Sequence, residues 1–121
     1  GNIMNIELLK QNGINLEAAL ENLGDMDMYN DIANDFLTES KDRLPNIKKY
    51  LEESDMPNYA ILVHAMKSDS KYLGFSRLAE LSYEHEMSSK EGNIAYVQEH
   101  FNELMEEANR IITILQQYLE G

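Results

Sequence analysis

The sequence contains no cysteine, only two prolines and only ten basic residues. Without cysteine there is no disulfide, no thiolate nucleophile and no Cys-based zinc site, and a reducing cytoplasm is a permitted home. Ten Lys and Arg against 22 Asp and Glu leave a formal net charge of −12. A surface that acidic repels nucleic-acid phosphates and anionic lipid, so neither is expected as a partner. No apolar run approaches the roughly 18–20 residues needed to cross a bilayer, and Gly1 to Asn5 lacks the basic stretch and apolar core of a signal peptide. There is no glycine-rich phosphate loop or Walker-type motif, which leaves nothing to hold a nucleotide cofactor.

What is present is a globular composition, 43% hydrophobic over 121 residues, enough for one domain with one core. Segment 1–13 reads as an N-terminal extension, with Gly1 in the place of Met as a tag remnant, and 14–121 as a single domain. Glycine and proline break the chain at Gly13, Gly24-Asp25, Ser54 to Pro57, Gly74 and Gly92-Asn93. Between the breaks apolar residues recur at helical spacing. Tyr29, Ile32, Phe36, Ser40, Leu44, Ile47 and Leu51 trace one stripe, which continues past Pro45 and so predicts a helix kinked there but not ended. Ile94, Val97, Phe101, Leu104, Ala108, Ile111, Leu115 and Tyr118 trace another, after an Asn93 cap.

Two shorter helices are expected between them. One runs from about Pro57 to Leu73, capped by Ser54 or Asp55 and stopped by Gly74; the next runs from about Ser76 to Ser89, with Leu78, Leu81 and Met87 inward. A short leading helix capped by Asn15 carries Leu16, Ala19, Leu20 and Leu23. No segment sustains the two-residue alternation of a strand. The predicted fold is all-α: an antiparallel, up-down-up-down four-helix bundle with a short extra N-terminal helix.

A helical wheel sorts the histidines. On the Pro57–Leu73 helix, Tyr59, Leu62, Val63, Met66, Ser70 and Leu73 share the buried face, and His64 falls about 160° from Met66, toward solvent. Beside it lie Ala60, Ile61, Lys67, Ser68 and Lys71. Two of the ten basic residues thus share a patch with His64, and Ile61 is an unusual choice for a solvent face. A neutral imidazole is nucleophilic near pH 7, and an ammonium one turn on can sit beside a phosphate carried by the ring. Small neighbours let a partner approach.

The segment His64-Ala65-Met66-Lys67-Ser68-Asp69-Ser70-Lys71-Tyr72-Leu73-Gly74 resembles the signature of histidine-containing phosphotransfer (HPt) domains, roughly His-x-Leu-Lys-Gly-x-Ser-x-x-Leu-Gly. His64, Lys67, Ser70, Leu73 and Gly74 match in identity and spacing, and Met66 replaces Leu. Phe36-Leu37, Leu78, Leu81 and Glu86 extend the resemblance, which covers about residues 14–119. It implies a phosphorelay carrier: His64 would accept a phosphoryl group from a receiver-domain aspartate and pass it to another. Lys67 would stabilise the phosphate, and Ala60, Ile61, Ser68 and Lys71 would border the docking surface. It also implies no metal or cofactor in this chain, with Mg²⁺ supplied by the receiver, and no kinase activity from this chain alone. The expected setting is bacterial and cytoplasmic, the chain standing alone or cut from a hybrid sensor histidine kinase. Ser68 departs from the usual Gly, and Asp69 falls near the core edge, where either a partner on a neighbouring helix or water could meet it.

Other readings compete. His85 and His100 invite a bundle-core metal site, but no Glu-x-x-His and no His pair four residues apart is present. Both are expected at the surface, with partial burial open to His100 beside Phe101. Glu52-Glu53, Glu84, Glu86 and Glu106-Glu107 read as solvated faces, and the seven Met as packing residues. An alternative of a different class is a non-transferring adaptor that binds a receiver or partner helix. An exposed nucleophile next to Lys67 favours the carrier.

Overall fold

The computed structural model describes residues 5–120, and among these there are helices and no strand. The helices are α1 (Ile6–Gln11), α2 (Leu16–Leu23), α3 (Met26–Glu52), α4 (Met56–Leu73), α5 (Ser76–Lys90) and α6 (Ile94–Glu120). Each of the last four begins or ends at a punctuation residue that the sequence supplies. Asp25 accepts a hydrogen bond from the Met28 N–H at 2.9 Å, Asp55 from Asn58 at 3.2 Å and Asn93 from Tyr96 at 3.1 Å, each satisfying an orphan donor of a first turn. The α3 helix runs through Pro45, which sits on its exposed face.

The long helices form a ring of contacts, α3 with α4, α4 with α5, α5 with α6 and α6 with α3, and α4 and α5 share the most extensive packing. The two predicted stripes point inward: Tyr29, Phe36 and Ile47 from α3, and Val97, Leu104, Ala108, Ile111, Leu115 and Tyr118 from α6, are all in the core. From α4 the core takes Tyr59, Val63, Met66 and Leu73, the face the wheel assigned. Phe36 and Phe75 meet edge to face at 5.3 Å between ring centroids.

The N-terminal region is more structured than its sequence suggests. Segment 1–13, read as an extension, contains α1, which packs on α6 and buries Leu9 fully. The Arg110 guanidinium donates to the Asn12 carbonyl at 3.0 Å and ties the end of α1 to α6. One and a half turns is too short for periodicity to register, so only packing reveals this helix. Residues 1–4 of that segment, including the tag remnant expected at Gly1, lie outside the described residues, as does Gly121.

One junction places the α4–α5 pair. Gly74 closes α4 in the left-handed region at φ 83°. A Cβ there would lie 2.4 Å from the Asn15 carbonyl oxygen, because the Asn15 N–H donates to the Gly74 carbonyl at 2.9 Å and seats the start of α2 on this turn. The Tyr29 hydroxyl donates to the Leu73 carbonyl at 2.7 Å, satisfying another group left open by the helix end. Burial pushes the Tyr29 hydroxyl pKa well above its usual value, as does the neighbouring Tyr118, so the hydroxyl stays a donor.

Candidate functional site

His64 projects from the middle of α4, with its side chain 55% exposed. The α4 wheel places it opposite Met66, and the packing of α5 against α4 then brings Glu86 beneath it. The His64 Nδ1 lies 2.6 Å from Glu86 Oε2. A carboxylate only accepts, so Nδ1 carries the proton and the lone pair resides on Nε2.

Glu86 itself is 2% exposed. Lys67 Nζ donates to its Oε1 at 2.6 Å, and Lys90 Nζ, one turn further along α5, donates to Oε2 at 2.8 Å. Burial pushes the carboxyl up, but the hydrogen bonds from Lys67, Lys90 and His64 outweigh it and bring it from 4.5 down to about 2. The result is a buried carboxylate, ionised across the physiological range, holding one face of an exposed imidazole. Beside it an open groove of about 480 Å³ is lined by Pro57, Ala60, Ile61, His64, Glu86, Ser89 and Lys90. Ile61 is 63% exposed at its rim.

Lys67 differs from its expected setting. Its side chain is only 15% exposed, held by Glu86 and lying over the Tyr83 ring at 5.5 Å. Ala60 is buried and forms part of the groove's lining, whereas Ser68 is half-buried and Lys71 exposed. The fully exposed charge and the solvent-facing alanine of the wheel are therefore corrected by the approach of α5.

The α5 helix departs most from its expected pattern. Met87 faces solvent, and His85 is 1% exposed and not at the surface. Its Nε2 faces the His100 carbonyl at 3.1 Å, which requires a donor, so Nδ1 accepts from the Tyr59 hydroxyl at 2.8 Å. Burial lowers the His85 pKa below 6.5, and the bond to the His100 carbonyl only partly opposes this. Both ring nitrogens are engaged, and the one in-plane lone pair, on Nδ1, is taken by the Tyr59 hydroxyl. His100 is partly buried and stacks against Tyr96 at 4.2 Å.

Two acids read as solvated faces are buried, Glu86 and Glu107. Glu107 takes a two-pronged bond from Arg110, at 2.7 and 2.9 Å. The core-edge Asp69 does find a neighbouring helix: it pairs at 2.9 Å with the buried Arg43 of α3, which also bonds Glu39. The sequence reading missed Glu86 and Lys90 as members of the site. Their spacing of four on one helix was the available signal.

The described residues thus form an all-helical bundle that presents one exposed, carboxylate-backed histidine from a middle helix. The comparison with protein families agrees: the Hpt domain family model matches residues 31–120. The chain belongs to the Hpt domain family, whose members act in histidine phosphotransfer within two-component phosphorelays together with response-regulator receivers. No curated protein and no solved structure matched the chain. Among the described residues no helix is long and apolar enough to cross a membrane.

Proposed function

We propose that His64 is the phosphoacceptor of a phosphorelay. It takes a phosphoryl group on Nε2 from the aspartyl phosphate of one receiver domain and gives it to the aspartate of another. In the first step the Nε2–P bond forms, the acyl P–O bond breaks, and its electron pair leaves on the aspartate carboxylate. The ring gains positive charge as the bond forms, and the Nδ1–H bond to Glu86 strengthens in proportion. The return step runs the same exchange backward. Phosphoryl transfer needs positioning and charge stabilisation more than covalent chemistry from the carrier. On this reading Mg²⁺ and most of the remaining stabilisation come from the receiver, and the chain supplies no cofactor of its own.

The observation that carries the reading is the 2.6 Å contact between His64 Nδ1 and Glu86. It fixes the tautomer that aims a lone pair outward from an exposed ring. Ile61 and the buried Ala60 give a receiver an apolar seat beside the imidazole, with Ser68 and Lys71 on the other flank. Lys67 neutralises Glu86 and holds it in place beneath the imidazole. On this reading the domain works in the cytoplasm, alone or within a longer hybrid kinase.

The test mixes the purified chain with receiver domains already phosphorylated on aspartate. Intact mass and peptide mapping are expected to find acid-labile phosphate on His64, absent from His64→Gln. Receiver binding without any phosphate uptake would replace the carrier with the non-transferring adaptor.

A further inference from the structure

The geometry points to Lys90, a residue outside the His64-to-Gly74 signature, as the cation that contacts the phosphoryl group on His64, with Lys67 as the positioning residue that holds Glu86. This inference rests on the carrier reading above and specifies its phosphate site.

Three observations separate the two lysines. First, they bind different oxygens. Lys67 occupies Oε1 of Glu86, whereas Lys90 shares Oε2 with His64, at 2.8 and 2.6 Å. The Lys90 ammonium and the imidazole therefore converge on a single atom. Second, they differ in freedom. Lys67 is 15% exposed and Lys90 56%. Moving Lys67 would strip a buried carboxylate of its most enclosed partner, while Lys90 can swing on a solvated stem at little cost. Third, the groove beside His64 is lined by Lys90 and not by Lys67.

Charge gives the reason for two lysines. At rest one carboxylate faces two ammonium groups, an excess of one positive charge. A phosphoryl group on Nε2 brings close to two negative charges, in a chain whose net charge is −12. Lys90 can then shift from Oε2 toward the phosphate while Lys67 and the imidazolium-like ring keep Glu86 neutralised. The resting contact stores the cation within reach, and no group has to be drawn from bulk solvent.

The experiment needs no partner protein. The intact chain is treated with phosphoramidate, which transfers its phosphoryl group to imidazole with loss of ammonia, and phosphohistidine is followed by intact mass, peptide mapping and phosphorus NMR. Lys90→Gln is expected to shorten the phosphohistidine half-life about fivefold, the scale of one partly exposed ion contact, and to move the phosphorus resonance. Lys90→Arg, which keeps the charge, is expected to restore both. Lys67→Gln is expected to lower thermal stability while leaving the resonance near that of the unsubstituted chain. A Lys90→Gln protein with unchanged half-life and resonance, beside a Lys67→Gln protein altered in both, would overturn the assignment and leave the carrier intact. An unsubstituted chain that takes no phosphate on His64 would overturn the carrier reading itself, and the Lys90 role with it.

Discussion

His64 and His85 sit on adjacent helices, and the residue that holds one is the sequence neighbour of the other. His85 is buried, and both ring nitrogens are engaged, one by the Tyr59 hydroxyl and one by the His100 carbonyl. His64 is 55% exposed, and its Nδ1 is held by the ionised Glu86. The same side chain is thus a strut in one place and, under the proposed function, the nucleophile in the other. The difference is the number of nitrogens the fold occupies and the charge of the group that occupies them. A neutral phenol and a carbonyl fix both nitrogens of one ring, whereas a carboxylate orients the other ring and leaves its Nε2 open.

The largest expected effect comes from exchanging the two losses. His64→Gln should abolish phosphate uptake and leave helical circular dichroism and urea midpoint unchanged. His85→Ala should do the reverse, costing about 2–4 kcal/mol in urea denaturation through a cavity and two unpaired polar groups, with uptake per folded molecule retained. A folded His85→Ala protein that takes up no phosphate would break the contrast.

Glu86→Gln should act on both properties. Phosphate uptake should fall by about tenfold, the scale of one hydrogen bond to a charged group, and two lysines lose their counter-charge. The pH dependence sharpens the distinction. Below pH 6.5 the unfolded chain protonates His85 before the folded chain does, because burial lowers its pKa in the fold, so stability should begin to fall there as pH drops. Glu86 titrates at about 2 when folded against 4.5 unfolded. Its contribution is present above pH 4.5 and is lost as pH falls toward 2. Urea midpoints across this range should show both declines, and Glu86→Gln should lack the lower one. Equal slopes in the two proteins would contradict the assigned Glu86 ionisation.

The smallest effect is expected at Tyr59→Phe, which deletes one hydroxyl and leaves the His85 Nδ1 acceptor unpaired. A loss of about 1 kcal/mol at pH 7 is expected, read by urea denaturation, with phosphate uptake unaltered. A change in uptake would mean that the His85 cluster communicates with His64 through α5.

Much of this was legible in the chain. The α3 and α6 stripes held along their whole length because each helix is long enough for a 3.6-residue period to dominate local exceptions. The α5 helix was harder. His85, Glu86 and Ser89 are buried where polar types argue for solvent, and Met87 faces out. A wheel built on apolar residues alone misses a face whose polar atoms find partners on α4 and α6. Lys67 was found by its spacing from His64, yet its burial depended on Tyr83 and Glu86, which arrive from another helix.

The sequence by itself determined the helices, their caps and breaks, the outward direction of His64 and the family pattern from His64 to Gly74. Those follow from local rules: period, capping chemistry and the left-handed freedom of glycine. The tertiary structure alone decided which carboxylate meets His64, which histidine is buried, and that Lys90 shares an oxygen with the imidazole. Each of these depends on the register of α5 against α4, set by the tight Gly74 junction and by packing across the bundle. Burial of a polar group is decided by the partners it meets there, and those partners lie 15 to 26 residues away along the chain.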